Sequence, residues 1–311
     1  MIRSPNYEVL LARIKAGGVV ILDGATGTEL ERRGASMDTA AWCGVATQEN
    51  VTLLEEVHLD YIHAGSEIIT ANTYASSRLM LTAAGLGNYV EEINQKAIRA
   101  AMSARDQSGR SDVIVAGSLS HMVPIEAGTD VENFGSPPNN NEVRSALNEI
   151  AGIIVSEGCD LILLEMMYHL ERTEIALEVS GGLKLPVWAG LSARITNDGR
   201  LLSYYKGKDI NFDTLVGIVV NSDIDAVGIM HTPSNIVSSC LEVIRQHWDG
   251  PLYAYPDSGH FRMPNWVFED VIEPNELKRY ARDWVNKGTN AIGGCCGLSV
   301  EHISTLSELK R

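Results

Sequence analysis

The segment Gly293-Gly294-Cys295-Cys296-Gly297 sets two thiols side by side between glycines. Consecutive Cα atoms are closer than a relaxed disulfide requires, so adjacent cysteines bridge each other only with backbone distortion. Two thiolates aimed at one point suit a soft or borderline metal better, and flanking glycines allow the turn that brings both side chains to one centre. Cys43, Cys159 and Cys240 have no such neighbour and read as small buried apolar residues. Five cysteines in 311 residues is an odd count in a chain long enough to build a good core, which speaks against an extracellular disulfide framework.

Two carboxylates call for partners. Glu165 ends the apolar run 161–164, where an unpaired charge would cost several kcal/mol. A substrate ammonium would satisfy it, and so would a structural salt bridge to an arginine. Asp23 opens a loop containing Gly24 and Gly27, whose exposed amides suit an anion at the start of a helix, with Asp23 itself otherwise read as a helix cap.

These groups need elements to hold them. Short Val, Ile and Leu runs recur at 19–22, 67–70, 113–116, 161–164, 186–189, 226–229, 252–255 and 290–293, each followed by a longer amphipathic stretch. Runs apolar on both faces suit parallel strands covered by helices. Val51, Leu54, Val57, His58 and Tyr61 share one helical face before the second run, and Ile150, Ile153 and Ile154 another before the fourth. Eight strand–helix units without a linker predict an α/β fold, a (β/α)₈ TIM barrel occupying residues 1–311 as one domain, with an open doubly wound sheet as the alternative. In such a barrel the strand C-termini share one rim. Reading past each run gives Asp23, Asn72 with Thr73, Ser118, Glu165, Ser192, His231, Asp257, and Cys295 with Cys296.

The formal charge of −15 disfavours nucleic acid and anionic membrane as partners. No apolar stretch reaches the roughly twenty residues of a spanning helix, and the first residues lack an apolar signal core, so a cytoplasmic protein is expected.

Four motifs in order along the chain, Leu22-Asp23-Gly24-Ala25-Thr26-Gly27-Thr28-Glu29-Leu30, Ala71-Asn72-Thr73-Tyr74, Tyr255-Pro256-Asp257-Ser258-Gly259 and the glycine-flanked cysteine pair, resemble the homocysteine S-methyltransferase family. The resemblance implies the same barrel and Zn²⁺ held by Cys295, Cys296 and a third ligand at the end of strand six. The family usually has cysteine there; this chain has His231 after Met230. Imidazole is a good zinc ligand, but it replaces a thiolate by a neutral group and makes the centre less electron-rich. An ordinary loop histidine is the other reading of His231.

The resemblance further implies that Asp23 and Glu165 receive the ammonium of homocysteine and that amides near Gly27 and Thr28 receive its carboxylate. Asn72 and Thr73 would line the pocket, and Trp42 would face the methyl donor through cation–π attraction or simply cover the barrel mouth. No catalytic side chain beyond the metal centre is implied. The loop 117–122 departs from the family pattern, and Arg194 stands where it would meet a carboxylate-bearing donor. The expected activity is methyl transfer from an onium-type donor to the homocysteine thiol, forming methionine. Another thiol or donor on the same fold, and a non-catalytic amino-acid or metal-binding protein, are the alternatives. The partners are small molecules, and a homo-oligomer stays open.

Overall fold

The computed structural model describes residues 3–133 and 137–311. Eight parallel strands, β1 (Val20–Ile21), β2 (Ile68–Ala71), β3 (Ile114–Leu119), β4 (Leu161–Met167), β5 (Val187–Leu191), β6 (Ala226–Pro233), β7 (Leu252–Asp257) and β8 (Ala291–Ile292), pair in chain order, and β8 returns to β1. A parallel bridge between Leu22 and Ile68 closes β1 onto β2. The sheet therefore has no free edge, and the barrel expected from the apolar runs is present.

Besides the shorter helices Thr26–Arg32, Ala46–Glu49 and Arg78–Ala83 in the first two connections, each strand is followed by one longer helix that packs outside it. These are α1 (Val51–His63), α2 (Val90–Gln107), α3 (Asn140–Ser156), α4 (Leu170–Gly181), α5 (Phe212–Val220), α6 (Ser234–Arg245), α7 (Pro274–Asn286) and α8 (Val300–Ser307). On α1, Leu54, Val57, His58 and Tyr61 are buried as their spacing requires, while Val51 is only partly covered. A capping box between Asn139 and Glu142 starts α3, which turns Ile150, Ile153 and Ile154 inward. No described helix is long and apolar enough to cross a membrane.

The floor of the barrel is closed. Trp188 donates its indole N–H to the Tyr7 hydroxyl at 2.9 Å, tying β5 to the N-terminal helix Pro5–Lys15. Tyr253 lies 5.3 Å from Trp188 between ring centroids. It fills the interior because its neighbour on β6 is Gly228, where an added Cβ would come within 2.4 Å of the tyrosine ring.

The mouth is irregular. The β4–β5 register shifts between Leu164 and Met167, and the β6–β7 register shifts between Met230 and Pro233. Each shift contains a left-handed residue, Met166 at φ 59° and His231 at φ 44°. Pairing resumes beyond both bulges, so Glu165 and His231 lie inside longer strands rather than just past shorter ones. Two antiparallel hairpins, Ala193–Ile195 with Leu201–Ser203 and His260–Arg262 with Asn265–Val267, rise beyond the rim. Their three-residue strands are too short to announce themselves in the apolar pattern.

Candidate metal centre and its flanking cavities

The cysteine pair follows β8 in a loop pinned from three sides. Gly294 N–H donates to Asp23 O at 3.1 Å, Cys295 N–H to Pro256 O at 2.6 Å, and Ser258 N–H to Cys296 O at 2.9 Å. Gly297 then turns with φ 81°, and a Cβ there would fall 1.8 Å from Ser258 O, so only glycine fits. Its N–H donates to Thr28 Oγ1 at 3.1 Å and its carbonyl accepts from Arg32 at 3.0 Å.

Held this way, both sulfurs face His231. Cys295 Sγ and Cys296 Sγ are 3.8 Å apart; His231 Nδ1 lies 3.5 Å from the first and 4.0 Å from the second, and Nε2 lies 3.2 Å from Cys295 Sγ. Tetrahedral ligation at ordinary Zn–S and Zn–N lengths requires about 3.8 Å between sulfurs and about 3.5 Å between sulfur and nitrogen. The three side chains are buried, their ligand atoms lie within 4.8 Å of one another, and they fit a metal.

The rest of the imidazole is also held. Nε2 lies 3.0 Å from Glu165 Oε1, and the hydroxyl of Ser118 donates to Glu165 Oε2. Tyr74 stacks on the ring, with centroids 5.2 Å apart and planes inclined by 19°. A carboxylate behind a ligating histidine fixes its tautomer and makes the ligating nitrogen more basic.

Without a metal, burial and their neighbours shift the proton affinities of all three groups. Burial pushes the Cys295 thiol well above the ordinary cysteine value, and the neighbouring Cys296 adds to this against an opposing pull from His231. The hydrogen bond from Cys295 pulls Cys296 down, yet burial and nearby acids leave it raised. Burial disfavours a charged His231, but Cys295 and Glu165 outweigh it and draw the imidazole well above its usual value.

Two cavities meet at His231. A small space of about 30 Å³ is lined by Gly27, Cys43, Asn72, Glu165 and both cysteines of the pair, together with Trp42 and Tyr74. The larger, of about 230 Å³, is walled by Trp42, Tyr74, Tyr168, Tyr204, Phe261 and Trp266, with Asp257 and His231 also facing it. Of the four described non-glycine residues in the left-handed region, Trp42, Met166 and His231 line this larger cavity. Strain of that kind persists where the surroundings enforce it, as around a binding site.

The residues singled out in the sequence divide accordingly. Trp42 borders both cavities and packs edge-on against Phe261 with ring centroids 5.2 Å apart. Gly27, Asn72 and Glu165 face the small space. Asp23, Thr28 and Thr73 do not line it. Asp23 is fully buried and accepts from Thr70 N–H at 2.6 Å and the Tyr255 hydroxyl at 2.9 Å. Burial raises its pKa to about 7 against those hydrogen bonds, and Glu165 adds to the rise. Thr28 holds the Gly297 turn, and Thr73 donates to Ser118 O at 2.7 Å. Arg194 lines neither cavity: it pairs with Asp209 at 2.8 Å and reaches the Tyr205 carbonyl.

Cys159 and Cys240 are buried away from the centre, as their isolation suggested, but Cys43 forms part of the small space. Its position beside Trp42 and Asn72 was the signal available, since Asn72 already belonged to a rim motif. His121, in the loop after β3, accepts from Tyr168 N–H at 3.2 Å and so orders one wall of the larger cavity.

The profile of the family described as Homocysteine S-methyltransferase matches residues 20–309. Homocysteine S-methyltransferase 4 of Zea mays is 25% identical over 96% of this chain and 91% of its own length. Selenocysteine Se-methyltransferase of Brassica oleracea var. italica is 24% identical over 91% of this chain and 86% of its own. The metallated homocysteine methyltransferase MmuM of Escherichia coli superposes with a TM-score of 0.74 at 20% identity, covering 96% of this chain and 98% of that one, and so shares the fold.

Proposed function

The chain belongs to the homocysteine S-methyltransferase family, and from that premise we propose that it is a zinc-dependent enzyme moving a methyl group from an onium donor to the homocysteine thiol, with residues 1–311 forming one barrel domain. The carrying observation is the convergence of His231, Cys295 and Cys296 within 4.8 Å at the point where two cavities meet. Zinc held by these three residues would supply Lewis acidity that keeps a substrate thiol as the thiolate at neutral pH.

The protein's share is positioning. Gly27, Asn72 and Glu165 face the amino acid, while Asp23, Thr28 and Thr73 support that wall from behind. The small space, at about 30 Å³, is much the narrower of the two and would take the amino-acid end of homocysteine beside Gly27, Asn72 and Glu165. The larger cavity takes the methyl donor, with Trp42 and Tyr74 between the two. The thiolate sulfur attacks the methyl carbon as the bond from that carbon to the onium atom breaks. The bonding pair stays with the leaving group, which departs neutral and needs no general acid. In-line alignment is therefore the main demand on the protein.

Metal analysis of the purified protein and of His231→Ala, with methyl transfer to homocysteine assayed from sulfonium and quaternary ammonium donors, tests this reading. One zinc per chain, weakened in the variant, with methionine formed from at least one onium is expected. Full occupancy in His231→Ala would remove the imidazole from the ligand set. Homocysteine bound without transfer from any onium would leave a non-catalytic binding protein. The similarity to a selenocysteine Se-methyltransferase makes a selenol the first alternative acceptor to assay.

A further inference from the structure

Three carboxylates line the aromatic cavity, and two of them are already neutralised. Glu132 receives both guanidinium nitrogens of Arg172, at 2.8 and 3.1 Å, and the hydroxyl of Tyr168 at 2.7 Å. Asp130 pairs with Lys206, which is the only lysine or arginine among the lining residues. The third, Asp257, ends β7 at the rim, is partly buried, and makes no side-chain hydrogen bond or ion pair among the described residues.

Among the described residues one base acts on it: a charged His231 pulls the Asp257 carboxyl down against burial, and a ring held by zinc would lose that charge. His260 is exposed and forms no ion pair with it among the described residues. The cavity thus holds one uncompensated negative charge inside a wall of rings. Such a charge is costly to keep in a recess unless a cation visits it. Aromatic faces attract diffuse, weakly hydrated cations such as sulfonium or quaternary ammonium, and a carboxylate beside them supplies the counter-charge. A second depression that shares Pro233, Asp257, Gly259 and His260 with this cavity carries Glu269, Asp270 and Glu276, which would raise the local concentration of cations beside Asp257.

We propose that Asp257 is the counter-ion for the positively charged methyl donor and selects onium compounds that carry no carboxylate close to the charged atom. This deepens the reading given under Proposed function and rests on it. An onium with its carboxylate one carbon away brings like charge against Asp257, and with Lys206 and Arg172 already paired the described residues of the cavity offer that carboxylate no free lysine or arginine. Because the donor loses its charge as the methyl leaves, Asp257 favours the bound donor more than the transition state. Its removal therefore acts on KM more than on kcat.

The test compares zinc-loaded wild type with Asp257→Asn, and with Phe261→Leu as a second variant that leaves the charge in place. Binding of tetramethylammonium and of its neutral isostere tert-butanol is measured by calorimetry. Methyl transfer to homocysteine is then measured from trimethylsulfonium and from glycine betaine. Asp257→Asn is expected to weaken tetramethylammonium about tenfold or more while leaving tert-butanol and zinc content unchanged. It should raise the trimethylsulfonium KM without lowering kcat, and narrow the preference for trimethylsulfonium over betaine. Phe261→Leu should weaken tetramethylammonium by a smaller factor.

Equal tetramethylammonium affinity in wild type and Asp257→Asn would overturn the proposal. So would zinc loss in that variant, which would assign Asp257 to the metal centre. Asp257-dependent tetramethylammonium binding without methyl transfer from any onium would sink the methyltransferase reading and leave the cation site standing.

Discussion

His231 Nε2 and Glu165 Oε1 are 3.0 Å apart, which makes the glutamate expected to clamp a substrate ammonium a partner of the metal-facing imidazole. The pairing offsets the charge lost when imidazole stands for thiolate. A carboxylate accepting from Nε2–H returns electron density to Nδ1, the nitrogen that faces both sulfurs.

Glu165→Gln keeps the shape and removes the charge. Zinc affinity should fall by about 10- to 100-fold, the usual cost of losing such a partner. A competition titration against a chelator measures it. An unchanged affinity together with a raised homocysteine KM would return Glu165 to the role of substrate clamp alone.

Zinc uptake should release protons and tighten as pH rises. Burial holds Cys295 above the ordinary thiol value, and Cys296 is raised as well, so both carry protons that the metal must displace. The sign follows directly: each displaced proton makes affinity increase with pH. Proton release read by an indicator dye in weak buffer, set against pH-dependent zinc affinity, checks it. Affinity independent of pH would mean the thiols are already ionised.

Gly297→Ala should both destabilise the fold and weaken metal binding. The left-handed turn and the contact with Ser258 O together put the cost at about 2 kcal/mol or more. Denaturant unfolding of metal-free protein gives the first effect, and zinc titration the second. Loss of stability with intact affinity would show that the turn supports the barrel without aiming the cysteines.

His58 supplies a pH dependence far from the site. It is fully buried on α1, neither ring nitrogen has a protein partner, and burial lowers its pKa from 6.5 to about 4. The unfolded chain takes up a proton that the folded one resists. Stability from this residue is therefore complete above pH 6.5 and lost as pH falls to about 4, by roughly 3 kcal/mol in all. His58→Leu should unfold at higher urea than wild type, with the gap wider at pH 5 than at pH 7.5. The measurement uses metal-free protein so that zinc loss does not contribute. A constant gap would exclude His58 as the titrating group.

The barrel was legible because strands covered on both faces must be apolar throughout, so all eight runs stood out. The cysteine pair was legible because adjacent thiols between glycines have few other uses, and His231 followed from its place in a matched motif. The division of labour around them was not. Glu165 meets an imidazole 66 positions away, an encounter that depends on two bulges no local pattern encodes. Asp257 was visible as a rim residue, but its lack of a partner is a property of its three-dimensional neighbours. Thr28 and Thr73 carry the motif, yet their hydroxyls serve backbone groups across the loop.

The register shifts at Met166 and His231 have a dynamic consequence. Bulges leave amides outside the ladder, so the segments carrying Glu165 and His231 can yield without unzipping the strands beneath them. Amide exchange should then be fast at the mouth and slow at the floor, where Trp188 and Tyr253 are locked in. A rigid cylinder with a compliant lip would let a narrow acceptor space widen around an amino acid while the strands beneath it hold still.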